Sequence, residues 1–181
     1  IATAPEAIFE LNNGCICCSL GEDFLFTLEN LLGSSYEFNH LLVETTGIAD
    51  PSGIIDAFIS GTTVQERFVI DSVVCVADAV NMEDLFDLQP EVRKQLALAD
   101  LVLLNKIDSV HREYPQKLTG QIKAVNPMAK ICAIRFGVVD DIDVLDTHSF
   151  SGEAIGQSAL SFCRTDFQEQ GLPEKKSFIH N

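Results

Sequence analysis

Three thiols lie within four residues, at Cys15, Cys17 and Cys18. Thiolates are soft ligands, and three of them grip Zn2+ while leaving a fourth coordination position open. Further on, a carboxylate and a glycine close an apolar run at Glu44-Thr45-Thr46-Gly47. Glu44 there can hold a Mg2+-bound water or orient the water that attacks a γ-phosphate. Gly47 can bring its N–H close to that phosphate, where a side chain would obstruct. Residues 101–104 are a third apolar run, and Asn105-Lys106-Ile107-Asp108 follows directly. Guanine shows N1–H and a 2-amine on one edge. The Asp108 carboxylate can accept both hydrogen bonds, a pair that adenine does not offer. Asn105 can tie neighbouring loops together, and the stem of Lys106 can cover the face of the base. A site built on such polar pairing rejects analogues that leave its buried groups unpaired.

Each segment also has a plainer reading. Residues 105–108 can be a capping turn, and 44–51 a strand-to-helix loop with Asp50 as N-cap. The cysteines can be packed small residues or a redox cluster, although CxxC spacing is absent. A structural zinc site would bring paired CxxC motifs or histidines at set spacing, and neither is present. An open, incomplete thiolate set suits loading and unloading of a metal. The four histidines, His40, His111, His148 and His180, are scattered and read as surface or structural residues.

The bulk composition narrows the class. Apolar residues make up 46% of the 181, which is a folded globular chain. The formal net charge of −15 argues against a nucleic-acid partner, because phosphate binding needs clustered Lys and Arg. No apolar run is long enough to span a bilayer, so no membrane partner is expected. No signal-peptide pattern opens the chain. Cys75, Cys132 and Cys163 stand far apart, which with one reactive cluster fits a reducing cytosol and a cytoplasmic location. The chain begins at Ile1 and is expected to be a piece of a longer polypeptide.

These segments need a scaffold. Residues 7–11 read as a short strand leading to the cysteine loop, with Ser19 and Glu22 as a capping box. Phe24, Leu25, Leu28, Leu31 and Leu32 repeat at helical spacing, and Gly33 supplies the stop. Residues 41–43 read as a buried strand. Asp50 and Pro51 open a helix carrying Ile54, Ile55, Phe58 and Ile59. Strands are expected at 72–76, 101–104 and 130–134, and helices at 90–99, 114–125 and 140–145. Strands that alternate with helices and read as continuous apolar runs predict an α/β fold with a mostly parallel sheet covered on both faces. Ligands of such sheets bind at the C-terminal ends of the strands, where all three segments lie. Residues 1–147 are expected to form one domain, incomplete at its N-terminus, and 148–181 a linker or the start of a second domain.

Asn13-Gly14-Cys15-Ile16-Cys17-Cys18-Ser19-Leu20, the stretch from Glu44 to Pro51 and Asn105-Lys106-Ile107-Asp108 together resemble the CobW-type metallochaperone GTPases. The stretches from Ile70 to Ala79, Gln95 to Asp100 and Asn126 to Ile131 agree with it. The resemblance covers about residues 7–146. It implies a P-loop NTPase-type sheet with helices on both faces, and GTP binding and hydrolysis. Cys15, Cys17 and Cys18 would hold the cargo metal, most often zinc, with cobalt or nickel in some relatives. Glu44 and Gly47 would serve Mg2+ and the γ-phosphate, and Asn105, Lys106 and Asp108 would select guanine. Hydrolysis would release the metal to a client metalloprotein, and an oligomer is compatible with this. The family's phosphate loop, GxxGxGK[ST], matches nothing in the 181 residues. The expectation is that the sequence begins downstream of that loop and of the strand before it. The alternative is a module that binds a metal or partner without turnover. A thiol redox protein is a third reading.

Overall fold

The computed structural model describes residues 20–47, 49–60, 62–140 and 142–150. The expected strand at 7–11, the capping pair Ser19 and Glu22 and the whole cysteine loop lie outside the side chains it describes. The chain divides into two compact units, residues 1–49 with 53–68, and 50–52 with 69–181.

The first unit is helical among the described residues. Helix α1 runs Leu20–Leu32, α2 Ser52–Ser60 and α3 Thr62–Gln65. The helical spacing read from sequence is the buried stripe of α1: Phe24 and Leu28 are buried, Leu25, Leu31 and Leu32 half-buried, and Phe26 between them is exposed. The helix stops at Gly33, whose N–H donates to the Glu29 carbonyl at 2.9 Å. Phe24 and Leu28 pack with Ala57 and Val64. The Phe58 ring meets Phe24 and Phe68 edge-on, at 5.6 and 5.9 Å between centroids. Such offset geometry suits the ring quadrupoles.

The strand expected at 41–43 does not form. The segment belongs to no ladder among the described residues, and Leu42 is 85% exposed. An apolar run becomes a strand only where a neighbour takes its N–H and C=O groups, and sequence pattern does not report the neighbour.

The second unit holds the sheet. Its elements are β1 (Val74–Asp78), α4 (Met82–Leu88), α5 (Pro90–Leu98), β2 (Leu101–Asn105), a 3-10 turn (Ile107–Ser109), α6 (Tyr114–Val125) and β3 (Lys130–Ala133). The strands lie in the order β1-β2-β3, all parallel. Parallel neighbours need crossovers, and α6 supplies one between β2 and β3. Strand β1 sits two residues later than the expected 72–76. Its register pairs Val74 with Leu101 and Asp78 with Asn105, so the ladder runs as far as β2 does. Helix α4 was not foreseen, because its seven residues are too few for a clear period.

Residues in β2 alternate between two cores. Val102 and Leu104 are fully buried against Leu96 of α5, Leu118 and Ile122 of α6 and Met82 of α4. Leu101 and Leu103 face a second cluster with Ile134, Val139, Ile142 and Val144. That cluster explains why the helix expected at 140–145 is absent among the described residues of that stretch. The segment after β3 instead runs as an irregular strap, which spreads its apolar residues along the second face of β2. Cys75 sits half-buried in β1, and burial pushes its thiol up to about 11. It is a packing residue, as read from sequence.

One side chain joins α5, α6 and β3. The Asn126 amide donates to the carbonyls of Leu96, Ala97 and Ala99 at 3.0, 3.2 and 2.8 Å. Its oxygen accepts the N–H groups of Met128 and Ala129 at 3.1 and 3.0 Å. It therefore serves the Ala97 and Ala99 carbonyls at the end of α5, adds a second donor at Leu96, which also accepts the Ala99 N–H, and starts the turn into β3.

Candidate functional site

Parallel strands bring their C-terminal ends to one edge, and the second unit gathers its polar groups there. β2 ends on Asn105, and the chain turns at Lys106 with φ +61°. A left-handed backbone at a residue with a Cβ costs about 1–2 kcal/mol, so neighbours must hold it. Asp78, the last residue of β1 and paired in register with Asn105, does this. Its Oδ2 meets Lys106 Nζ at 2.8 Å. It also accepts from the Val80 N–H and the Asn81 amide, both at 2.9 Å. Partial burial alone would raise the Asp78 carboxyl; the Lys106, Val80 and Asn81 hydrogen bonds and the Lys106 charge outweigh it and hold the group below its usual value.

Asn105 ties the third strand's loop to the same edge. Its side-chain oxygen accepts the Gly137 N–H at 3.2 Å. The Ile107 N–H donates to the Ile134 carbonyl at 3.4 Å, and the Ala79 N–H to the Asn105 carbonyl at 3.0 Å. The loop-tying role read for Asn105 from sequence is thus a feature of this edge. Asp108 opens outward on the 3-10 turn, exposed, with the Ser109 hydroxyl on one oxygen at 3.0 Å. A carboxylate so displayed can accept a pair of N–H donors from a ligand edge. Asp78 was missed as a site residue by sequence reasoning, because the expected strand ended at 76 and only the register with β2 brings Asp78 beside Asn105.

In the first unit, Glu44 is exposed and its neighbour Gly47 has open space: a Cβ there would meet nothing within 4 Å. The Ala49 N–H donates to the Thr46 carbonyl at 2.9 Å, which turns the chain. Within the second unit, Asp50 accepts the Ser52 N–H at 3.0 Å and the Ser52 hydroxyl as an N-cap does, while Lys94 of the same unit meets its other oxygen at 3.0 Å. Burial raises the Asp50 carboxyl, and these partners together bring it below the usual value. Cys15, Cys17 and Cys18 lie outside the described residues.

Residues 1–133 match the CobW/HypB/UreG nucleotide-binding domain. The chain belongs to that family. It is 32% identical over 154 residues to the zinc chaperone YjiA of Escherichia coli, covering 83% of this chain and 48% of the relative. It is 29% identical over 158 residues to zinc-regulated GTPase metalloprotein activator 1 of Schizosaccharomyces pombe, covering 86% and 38%. The chain therefore spans less than half the length of either relative. The crystal structure of Zn(II)-bound YjiA GTPase from E. coli superposes with a TM-score of 0.64 at 28% identity, over 75% of this chain and 42% of that one. The fold of this CobW-family chain is accordingly α/β of the P-loop type. No described helix is long and apolar enough to cross a membrane.

Proposed function

We propose that this CobW-family domain is the nucleotide-reading part of a cytoplasmic GTP-hydrolysing metallochaperone. The observation that carries the reading is the strand-end constellation of the second unit. Lys106 is anchored on Asp78 at 2.8 Å, Asn105 is bridged to Gly137, and Asp108 projects free of the ladder. In this reading Asp108 accepts the N1–H and 2-amine of guanine, the Lys106 stem lies on the base, and Asn105 fixes the loops around it. The names of the relatives, a zinc chaperone and a zinc-regulated GTPase metalloprotein activator, support the zinc and GTPase parts of the reading.

Glu44 and Gly47 serve the phosphate end. Gly47 carries no side chain to obstruct a phosphate, and a Cβ there would meet nothing within 4 Å, while the exposed Glu44 carboxylate suits an outer ligand of Mg2+. Mg2+ would neutralise charge developing on the phosphates. Cys15, Cys17 and Cys18 take the transported metal as substrate, zinc first, cobalt or nickel in second place. Cleavage of the γ-phosphate loosens the thiolate grip, and the metal passes to a client metalloprotein. Zinc titration of the full-length protein, with and without GTP, tests the coupling. GTP should tighten zinc binding at least five-fold, and Cys17→Ala should abolish that gain without unfolding the protein. Equal zinc affinity in both cases contradicts the reading.

A further inference from the structure

One hydrogen bond at the sheet edge is flanked on both sides by residues in an uncommon backbone state. The bond joins Asn105 Oδ1 to the Gly137 N–H. Lys106, next to Asn105, has φ +61°; Phe136, next to Gly137, has φ +56°, and Gly137 itself has φ +70°. Left-handed backbone suits Gly137, but it is uncommon for a bulky residue such as Phe136. The strain brings no core packing in return, because Phe136 is 79% exposed. An aromatic ring is therefore held at the solvent edge, against the backbone's own preference, next to the Gly137 N–H that Asn105 accepts.

We propose that Phe136 is a stacking residue for the guanine base, covering the face opposite the Lys106 stem. This rests on the assignment of Asn105, Lys106 and Asp108 to guanine. A flat heterocycle has an edge and two faces. Asp108 addresses the edge and Lys106 one face. β2 and β3 are paired neighbours, about 4.8 Å apart, so their two loops stand side by side. The Asn105–Gly137 bond fixes the spacing between them. A base standing between two such loops meets the lysine stem from one and the phenyl ring from the other. Stacking on an aromatic ring is indifferent to base identity, so Phe136 contributes affinity while Asp108 contributes selectivity.

The test uses the full-length protein and GDP. Phe136→Gly removes the ring and relieves the left-handed strain. It should leave Tm unchanged or higher while weakening GDP binding about ten-fold. Phe136→Trp should restore affinity. Its emission, taken as the difference from wild type, should be quenched on GDP addition; the 181 residues contain no other tryptophan. If wild type binds GDP and Asp108→Asn loses it, but Phe136→Gly keeps affinity within two-fold and the tryptophan is silent, stacking is overturned and the guanine site stands. A fall in Tm alongside affinity shows a merely structural role and also overturns it. If wild type shows no preference for guanine over adenine nucleotides, the underlying assignment fails instead.

Discussion

Replacing Asp78 by alanine should unfasten Lys106 and expose how far the strand-end constellation depends on one carboxylate. Asp78 accepts three hydrogen bonds, from Lys106, Val80 and Asn81. A hydrogen bond contributes about 0.5–1.5 kcal/mol net. Those from Val80 and Asn81 lie at the exposed surface, where water replaces a lost partner, so each belongs at the low end. The Lys106 side chain is half exposed, and ion pairs of that kind contribute about 0.2–1 kcal/mol. Together the substitution should cost about 1–2 kcal/mol, or about 0.5–1 M in urea midpoint. A double-mutant cycle with Lys106→Ala isolates the pair, and its coupling should be about 0.5–1 kcal/mol. The same coupling removed from a nucleotide complex is a loss of about two- to five-fold in Kd. Urea unfolding of wild type, both single variants and the double variant measures every leg. A cost below about 0.5 kcal/mol, or single effects that simply add, refutes the claim that Asp78 holds Lys106 in place.

Two further outcomes follow from the same structure. Asn126→Ala should destabilise by about 2–4 kcal/mol, because it takes the side-chain donor from the Ala97 and Ala99 carbonyls and the acceptor from two N–H groups of the turn, while the Leu96 carbonyl keeps the Ala99 N–H. Asn126→Asp should be no better, since its carboxylate would face the same carbonyls; near-wild-type urea stability of either variant contradicts the capping role. For acid, the carboxyls of Asp50, Asp71 and Asp78 all lie below their usual value in the fold. At Asp71, burial raises the group but the Thr147 and His148 N–H groups and the His148 charge outweigh it. The unfolded chain takes up these protons first, so the stability they contribute is present above about pH 4 and lost as pH falls below it. Asp100 runs the other way: burial and the Asp71 charge raise it despite the Val73 N–H, so its contribution grows in acid and fades as pH rises. Asp100→Asn should therefore steepen the acid loss measured by urea midpoints between pH 6 and 3; a shallower loss refutes the sign.

Much of the scaffold was legible from local pattern. α1 announces itself by Phe24, Leu25, Leu28, Leu31 and Leu32 with Gly33 after them, and β2 by an unbroken apolar run. Asp50 before Pro51 foretold the cap of α2 because the capping bond lies within three residues. What escaped was set by partners distant in sequence. The end of β1 depends on its register with β2, and residues 41–43 are a strand only if something pairs with them. Residues 140–145 lost their expected helix to the second face of β2. Asn105, Lys106 and Asp108 could be named from the order of residue types behind a strand. Their supports, Asp78 and Gly137, could not, because each is a neighbour only through the parallel ladder.

The central claim is that Asp108 reads the guanine edge, and a change of one atom tests it. Asp108→Asn turns a double acceptor into an acceptor beside a donor. Xanthine, with a carbonyl in place of guanine's 2-amine, presents the matching donor and acceptor. Affinities of the full-length protein for GTP and xanthosine triphosphate, before and after the substitution, give the answer. The account predicts that wild type prefers GTP and that the variant reverses the preference. An Asp108→Asn protein that still favours GTP as strongly as wild type would contradict it.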